Sequence, residues 1–421
     1  KTGEAAKAGC RDWPFAIVFV LNVGVIIALM VRRLHKMQKY QLDALWGIKS
    51  VTDPDNSSSE LLSGDDTRVV IGIALGMALV SVVLSLGMVK LIVAYARCMI
   101  LFVLWFNVGL SFAFAAYGFA IGNFFVGIIG AIFALLNLCY ARAVQHRIPF
   151  AVANLRVAEA AISKHWSTYI VSIGFTIVQV VWVVVWALAL LGVANKISEE
   201  NPSSSRTTTS STYKQSAGSY VAYFFLLLSF YWGLQVFKNI AHTTVAGTVA
   251  TFWFSSESAG ATGASLKRST TTSFGSICFG SLIVAFLQAL RAQLAESGRQ
   301  DGSALACFAE CILGCLQSIM EYFNRWAYVY VGIYGYKFTE AGKAVFQLFH
   351  QRGFDAIIND DLIGNVLGFA ALGVGTCLLL LLFCCDPSAF QQAHPDLYEP
   401  LVKEWHNLYP EIMVQAGYWY A

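Results

Sequence analysis

Nine apolar runs, each close to the roughly 20 residues that cross a bilayer and nearly free of charge, recur along this sequence. They lie at residues 15–31, 69–94, 99–121, 124–141, 168–194, 219–241, 274–294, 305–328 and 362–385. Hydrocarbon about 30 Å thick offers no hydrogen bonds, so such a run satisfies its own backbone as a helix. The set predicts an all-α, polytopic integral membrane bundle. Composition agrees: 57% of the 421 residues are hydrophobic and only 13% charged, against about 25% charged in soluble domains. The first run is not a cleavable signal, because Arg32 and Arg33 follow it and no small-residue cleavage site closes it.

A net charge of +3 with no long basic run excludes nucleic acid as a natural partner. Most of the ten cysteines fall inside apolar runs, among them Cys98, Cys139, Cys278 and Cys377, where thiols act as small hydrophobes and not as a disulfide framework. Cys307, Cys311 and Cys315 stand on one ridge, and their spacing suits small-residue packing better than a metal site, for which no fourth ligand is in sight. Glycines four apart, Gly72 with Gly76 and Gly118 with Gly122, predict close helix approach.

The connecting segments suggest a topology. Residues 1–14 read as a cytoplasmic start, and 32–68 as an extracytoplasmic loop with a glycosylation acceptor at Asn56. Residues 195–218 form an extracytoplasmic Ser/Thr-rich loop. Arg142, Arg147, Arg156 and Lys164, and later Lys267 and Arg268, place the segments 142–165 and 238–268 on the cytoplasmic side. Arg32, Arg33, Lys36 and Lys39 argue for the opposite orientation of the first run, but a loop this long can translocate despite its charge. Within 142–165 an amphipathic helix is expected, with Phe150, Ala153, Leu155, Val157 and Ala161 on the membrane side and Arg156 and Glu159 toward water.

No nucleotide-binding, metalloprotease or hydrolase motif is present, which leaves transport, binding or scaffolding, with no cofactor expected. Polar groups inside a membrane then become the informative residues. On the sixth run Tyr220, Phe224, Tyr231, Gln235, Asn239 and His242 fall within about a quarter-turn of one another at 100° per residue. On the eighth, Glu310, Gly314, Gln317, Glu321, Asn324 and Tyr328 do the same, and on the fifth Ser172, Phe175, Gln179, Trp182 and Trp186 share a face. Three such stripes can line a central cavity. Aromatic faces with a few acceptors suit a quaternary ammonium, held by cation–π attraction, with Glu321 adding charge complementarity. Glu321 also has Arg325 one turn away as a partner. Candidate substrate residues are therefore Gln179, Trp182, Trp186, Phe224, Tyr231, Gln235, Asn239, Gln317 and Glu321. His242 and Glu321 are the candidates for proton coupling, while a span-end histidine such as His165 ordinarily faces solvent or headgroups. Lys238, off the stripe, is placed to snorkel toward the inner interface.

Four stretches in order carry a family resemblance: "RIPFAVANLRVAEAAI" at 147–162, "YWGLQVFKNIAHTTVAGTVATFWF" from Tyr231, "SFGSICFGSLIVAFLQALR" at 273–291 and "YFNRWAYVYVGIYGYKFTEAGKAVFQLF" at 322–349. The chain resembles the choline transporter-like proteins, the solute-carrier family that includes the fungal and plant pH-nine-sensitive branch. The resemblance implies a transporter of about ten spans with both termini cytoplasmic, moving choline or a related organic cation, and a cytoplasmic helix over 337–350 beside the inner gate. Relatives are linked to other substrates, ethanolamine or a thiamine derivative. It also implies two spans before a tail like 386–421, whereas only 362–385 separates "IINDD" from that tail here. The expectation is thus a facilitative carrier of an organic cation among membrane lipids, in the plasma membrane or an endomembrane. The alternatives are a non-transporting organiser of lipid composition or vesicle traffic, and a channel.

Overall fold

The computed structural model describes residues 9–45, 64–200, 217–255, 260–301 and 304–384. Asn56, most of the two expected extracytoplasmic loops and the tail 386–421 lie outside the described residues. Among those described there is no strand, and the chain is helical throughout. The helices are α1 (Trp13–Leu45), α2 (Gly64–Ala94), α3 (Ala96–Ala120), α4 (Phe124–Val144), α5 (Ile148–Lys164), α6 (Ser167–Glu200), α7 (Ala217–Phe254), α8 (Ala261–Thr270), α9 (Phe274–Asp301), α10 (Ala304–Tyr334) and α11 (Phe338–Cys384). Among the described residues, eight stretches are long and apolar enough to cross a bilayer: Trp13–His35, Gly72–Ala94, Ala96–Ala120, Phe124–Lys164, Ser167–Val193, Val221–Phe254, Phe274–Ala295 and Asp361–Leu379. The chain is an all-α, multi-pass membrane protein. The eighth expected run, 305–328, falls outside these stretches and lies in α10, where Glu310, Gln317, Glu321, Asn324 and Arg325 interrupt the apolar character. Its polar face is covered by protein, with Gln317 6% and Asn324 2% exposed.

Several helices outrun their apolar cores. α1 continues through Leu45 and includes Arg32, Arg33, Lys36 and Lys39, α6 reaches Glu200, and α7 runs past the expected end at 241 to Phe254. The expected 337–350 helix and the ninth run are one helix, α11.

The chain divides into two compact units. The first comprises residues 1–53 and 161–350. α7 is its central helix, packed against α1, α6, α8, α9 and α10. Trp232, Val236 and Ile240 of α7, Ile277 of α9, Tyr328 of α10 and Phe338 of α11 form its core with Phe19 of α1, whose ring sits edge-on to Trp232 at 5.1 Å. A satellite of Ile26, Trp182, Ala189 and Leu226 joins α1, α6 and α7. The outer faces of α1 and α6 are apolar and exposed, at Val20, Leu21, Ile177, Val180 and Val184. In a bilayer those side chains meet lipid, which is why an exposed apolar surface is stable here.

One end of this unit gathers segments distant in sequence. The Arg11 N–H donates to the Thr272 carbonyl at 2.9 Å. Asp12 Oδ2 accepts from Ser276 Oγ at 2.6 Å and from the Phe338 N–H at 3.1 Å. Ser167 Oγ donates to Thr262 Oγ1 at 2.8 Å. The start of α1, the start of α6, α8, the start of α9 and the start of α11 therefore share one end of the unit.

The second unit comprises residues 54–160 and 351–421. α3 and α4 form a tight hairpin. Gly122, at φ +77°, makes the turn, and the Asn123 side chain caps α4 by accepting from the Val126 N–H at 3.2 Å. Gly118 approaches α4 so closely that an added Cβ would lie 2.7 Å from the Gly127 nitrogen. Its partner is Gly127, not Gly122, while Gly72 and Gly76 face open space and bring no helices together. Ile100, Val103 and Leu104 pack with Ala141, Ile148, Ala151, Leu362 and Val366. On α5 Ile148, Ala151 and Ala161 are buried, while Phe150 and Ala153 of the expected membrane side are exposed. Arg156 is exposed as expected, whereas Glu159 pairs with Lys90 of α2.

Candidate functional site

The polar stripe of α7 meets α9 first. Gln235 Nε2 donates to Gln288 Oε1 at 3.2 Å, and Gln288 Nε2 donates onward to Glu321 Oε1 of α10 at 3.1 Å. Gln317, one turn before Glu321, donates to the same oxygen at 2.9 Å. Three helices are tied by this chain of amides ending on a carboxylate. A second tier lies one turn along: Asn239 Nδ2 donates to Ser281 Oγ at 2.9 Å, and Ser281 Oγ lies 3.2 Å from the Tyr328 hydroxyl. Asn324 Nδ2 donates to the Gly280 carbonyl at 3.0 Å, and the Tyr328 ring is buried against Phe338. The first tier follows the rule that buried polar groups are hydrogen-bonded, whereas Asn324 Oδ1 in the second is buried without a hydrogen-bond partner.

Charge surrounds the first tier. Lys238, half-buried, lies within electrostatic reach of both Glu321 and Arg325. The Arg325 guanidinium stands over the Tyr322 ring, 5.3 Å from its centroid. Glu310 is 3.7 Å from Arg291 of α9. Aromatic rings continue from the first tier toward the start of α7. Tyr231 contacts Phe230 at 5.3 Å, and Phe224 contacts Phe286 of α9 at 5.7 Å.

The α6 stripe goes elsewhere. Trp182, 4% exposed, donates its indole N–H to the Phe230 carbonyl at 3.1 Å, and Trp186 donates to the Leu226 carbonyl at 2.9 Å. Gly233 leaves the space that Trp182 fills, and Phe237 touches the indole at 6.0 Å. Gly233 and Gln235 are about 200° apart around α7. The α6 and α10 stripes therefore approach opposite sides of α7 and do not surround one cavity. Gln179, half-buried, sits on α6 one turn before Trp182.

With this geometry in view, comparison with known proteins is decisive. Residues 128–403 match the family described as plasma-membrane choline transporter. The chain belongs to the choline transporter-like family. It is 32% identical over 396 residues to Protein PNS1 of Eremothecium gossypii, covering 89% of this chain and 68% of that protein. It is 33% identical over 391 residues to Protein PNS1 of Mycosarcoma maydis, covering 90% and 70%. A CTL-like protein of Dictyostelium discoideum is 29% identical over 381 residues, covering 88% and 63%. The family is one of multi-pass membrane transporters, and a small organic molecule is the class of substrate that membership implies.

In this choline transporter-like protein two residues of the site escaped the sequence reading, Gln288 and Ser281. They stand seven apart in an otherwise apolar run, two helical turns on one face, and that spacing was the available signal. His242 Nε2 lies 3.2 Å from the Arg325 carbonyl. A carbonyl only accepts, so this contact places the ring proton on Nε2. His165 is 8% exposed, its ring against Phe252 at 6.3 Å, and so it does not face solvent. Cys311 and Cys315 are exposed, because Gly314, Gln317 and Asn324 occupy the buried face of α10. Among the described side chains, Cys311 and Cys315 are therefore not packed between helices.

Proposed function

We propose that this protein carries choline or a closely related organic cation across the membrane by alternating access, with Glu321 as the counter-charge. The observation that carries the reading is a carboxylate in mid-helix on α10, held by Gln288 and Gln317 and linked to Gln235. Carboxylates inside a membrane bundle persist where they meet a cation or a water-filled path. A quaternary ammonium donates no hydrogen bonds, so charge and aromatic faces must hold it. Glu321 supplies the charge, Tyr231 and Phe224 the rings, and Gln235, Asn239 and Gln317 orient the polar wall.

Trp182, Trp186 and Gln179 act on the opposite side of α7, where the α6 contact seals the helix pair and opens when access alternates. Transport is facilitative. The membrane potential alone offers about 2.3 kcal/mol per charge per 100 mV, enough to draw a cation inward. Should protons be coupled instead, His242 and Glu321 are the groups to carry them. The end that gathers α8 and the start of α11 is cytoplasmic, and the protein resides in the plasma membrane.

Labelled choline uptake into proteoliposomes tests the reading. Glu321→Gln removes the charge and keeps the shape, and uptake at low choline should fall at least about tenfold, equivalent to about 1.4 kcal/mol of binding. A well-folded sample that neither binds nor takes up choline would sink the proposal.

A further inference from the structure

At the end of the first unit where the N-terminal segment, α7, α8, α9 and α10 converge, the helices enclose a cavity of about 150 Å³. Among the described residues its charged lining is Arg11 and Arg268, joined by Ser265, Ser269, Thr272 and Ser273, with no carboxylate. Ser265, Ser269 and Ser273 are each under 5% exposed. Arg11 Nε is buried and has no hydrogen-bond partner. Arg268 gives one guanidinium nitrogen to Ser265 Oγ at 2.9 Å, and its carbonyl is taken by the Ser273 N–H, also at 2.9 Å. Asp12, beside Arg11, is engaged by Ser276 and Phe338.

Two guanidiniums bordering one small polar cavity repel each other; Arg268 is exposed and Arg11 half-buried, and the buried Arg11 Nε lacks an acceptor. Each presents a planar fork of N–H donors that matches the oxygens of phosphate or sulfate, and hydroxyls complete such a shell. The size narrows the ligand. Drug-sized ligands fill about 300–1,000 Å³, and a water occupies about 30 Å³ of liquid, so this cavity holds one tetrahedral oxyanion with little besides. We propose that it is a binding site for a phosphate group, separate from the cation site at Glu321. The phosphate is either free in solution or the terminal monoester of a lipid headgroup. When occupied, it ties the N-terminal segment through Arg11 to α8 through Arg268, across the end of α10 at Gly332 and Gly335.

The test uses the purified full chain and two probes. In detergent, inorganic phosphate replaces chloride at constant ionic strength while the melting temperature is followed. In nanodiscs of phosphatidylcholine, phosphatidic acid is added or omitted. At saturating probe the melting temperature should rise by about 2–4 °C, as tight binding to the folded state requires. Response to phosphate marks a soluble ligand, response to phosphatidic acid alone marks a headgroup, and either establishes the site. Arg268→Gln and Arg11→Gln should abolish the response, and Lys343→Gln, which does not line the cavity, should keep it. Ser265→Asp places an anion against Arg268 from within. It should melt above the wild type in chloride and ignore phosphate, a result that poor folding cannot imitate. No response of the wild type to either probe, or an undiminished response in Arg268→Gln, overturns the proposal.

Discussion

Glu321 accepts two amide N–H donors on one oxygen, and the donor from α9 also holds Gln235. Replacing Gln288 with Leu leaves Gln235 without its acceptor and Glu321 with one donor fewer. A buried polar group left unsatisfied costs about 1–3 kcal/mol, so Gln288→Leu should lower the melting temperature and reduce choline uptake together. On the far side of α7, Gly233 has no room for a side chain beside Trp182. Gly233→Val should destabilise by about 1–3 kcal/mol through overpacking, read as a lower melting temperature, while Trp182→Ala opens the same contact. The 100° spacing of α7 and α10 was enough to find Gln235, Gln317 and Glu321. It could not place Gln288 between them, because one amide in an apolar run reads equally well as glue to any neighbouring helix.

The elements differ in how plainly their ends are written. The core of α1 is an apolar run, but residues 32–45 continue it with Arg, Leu, Lys, Met and Gln, all good helix formers, and with no glycine or proline to stop it. Hydropathy marks where a helix meets lipid, not where its hydrogen bonds cease. α10 shows the converse: its polar face weakened the hydropathy signal, yet that face is the one buried against α9 and α7. The start of α11 is secured by a residue outside any helix, since Asp12 accepts from the Phe338 N–H and from Ser276. Hydrogen bonds to a charged group contribute about 1.5–3 kcal/mol. Asp12→Ala should therefore loosen this junction, seen as faster amide exchange at Phe338 and around Ser276, while Glu340→Ala, which bonds only within its own helix start, should leave Ser276 unchanged.

For the whole molecule, the facilitative reading makes a quantitative statement. At fixed choline and equal pH on both sides, 100 mV inside-negative should support up to about fiftyfold accumulation, the equivalent of about 2.3 kcal/mol per charge. A pH gradient at zero potential should drive none, and uptake that follows pH instead would assign coupling to His242 or Glu321. By itself the sequence determined that the chain is a helical membrane bundle, which residues could carry a cation, and which family it resembles. Those follow from local quantities: run length against bilayer thickness, a 3.6-residue period and ordered motifs. Only the tertiary structure decided which stripes meet. It joined α10 to α7 through α9, turned the α6 tryptophans to the opposite side, and set Arg11 and Arg268 on one cavity. Each depends on how a helix is rotated and what packs between, and periodicity gives a face its members but not its neighbours.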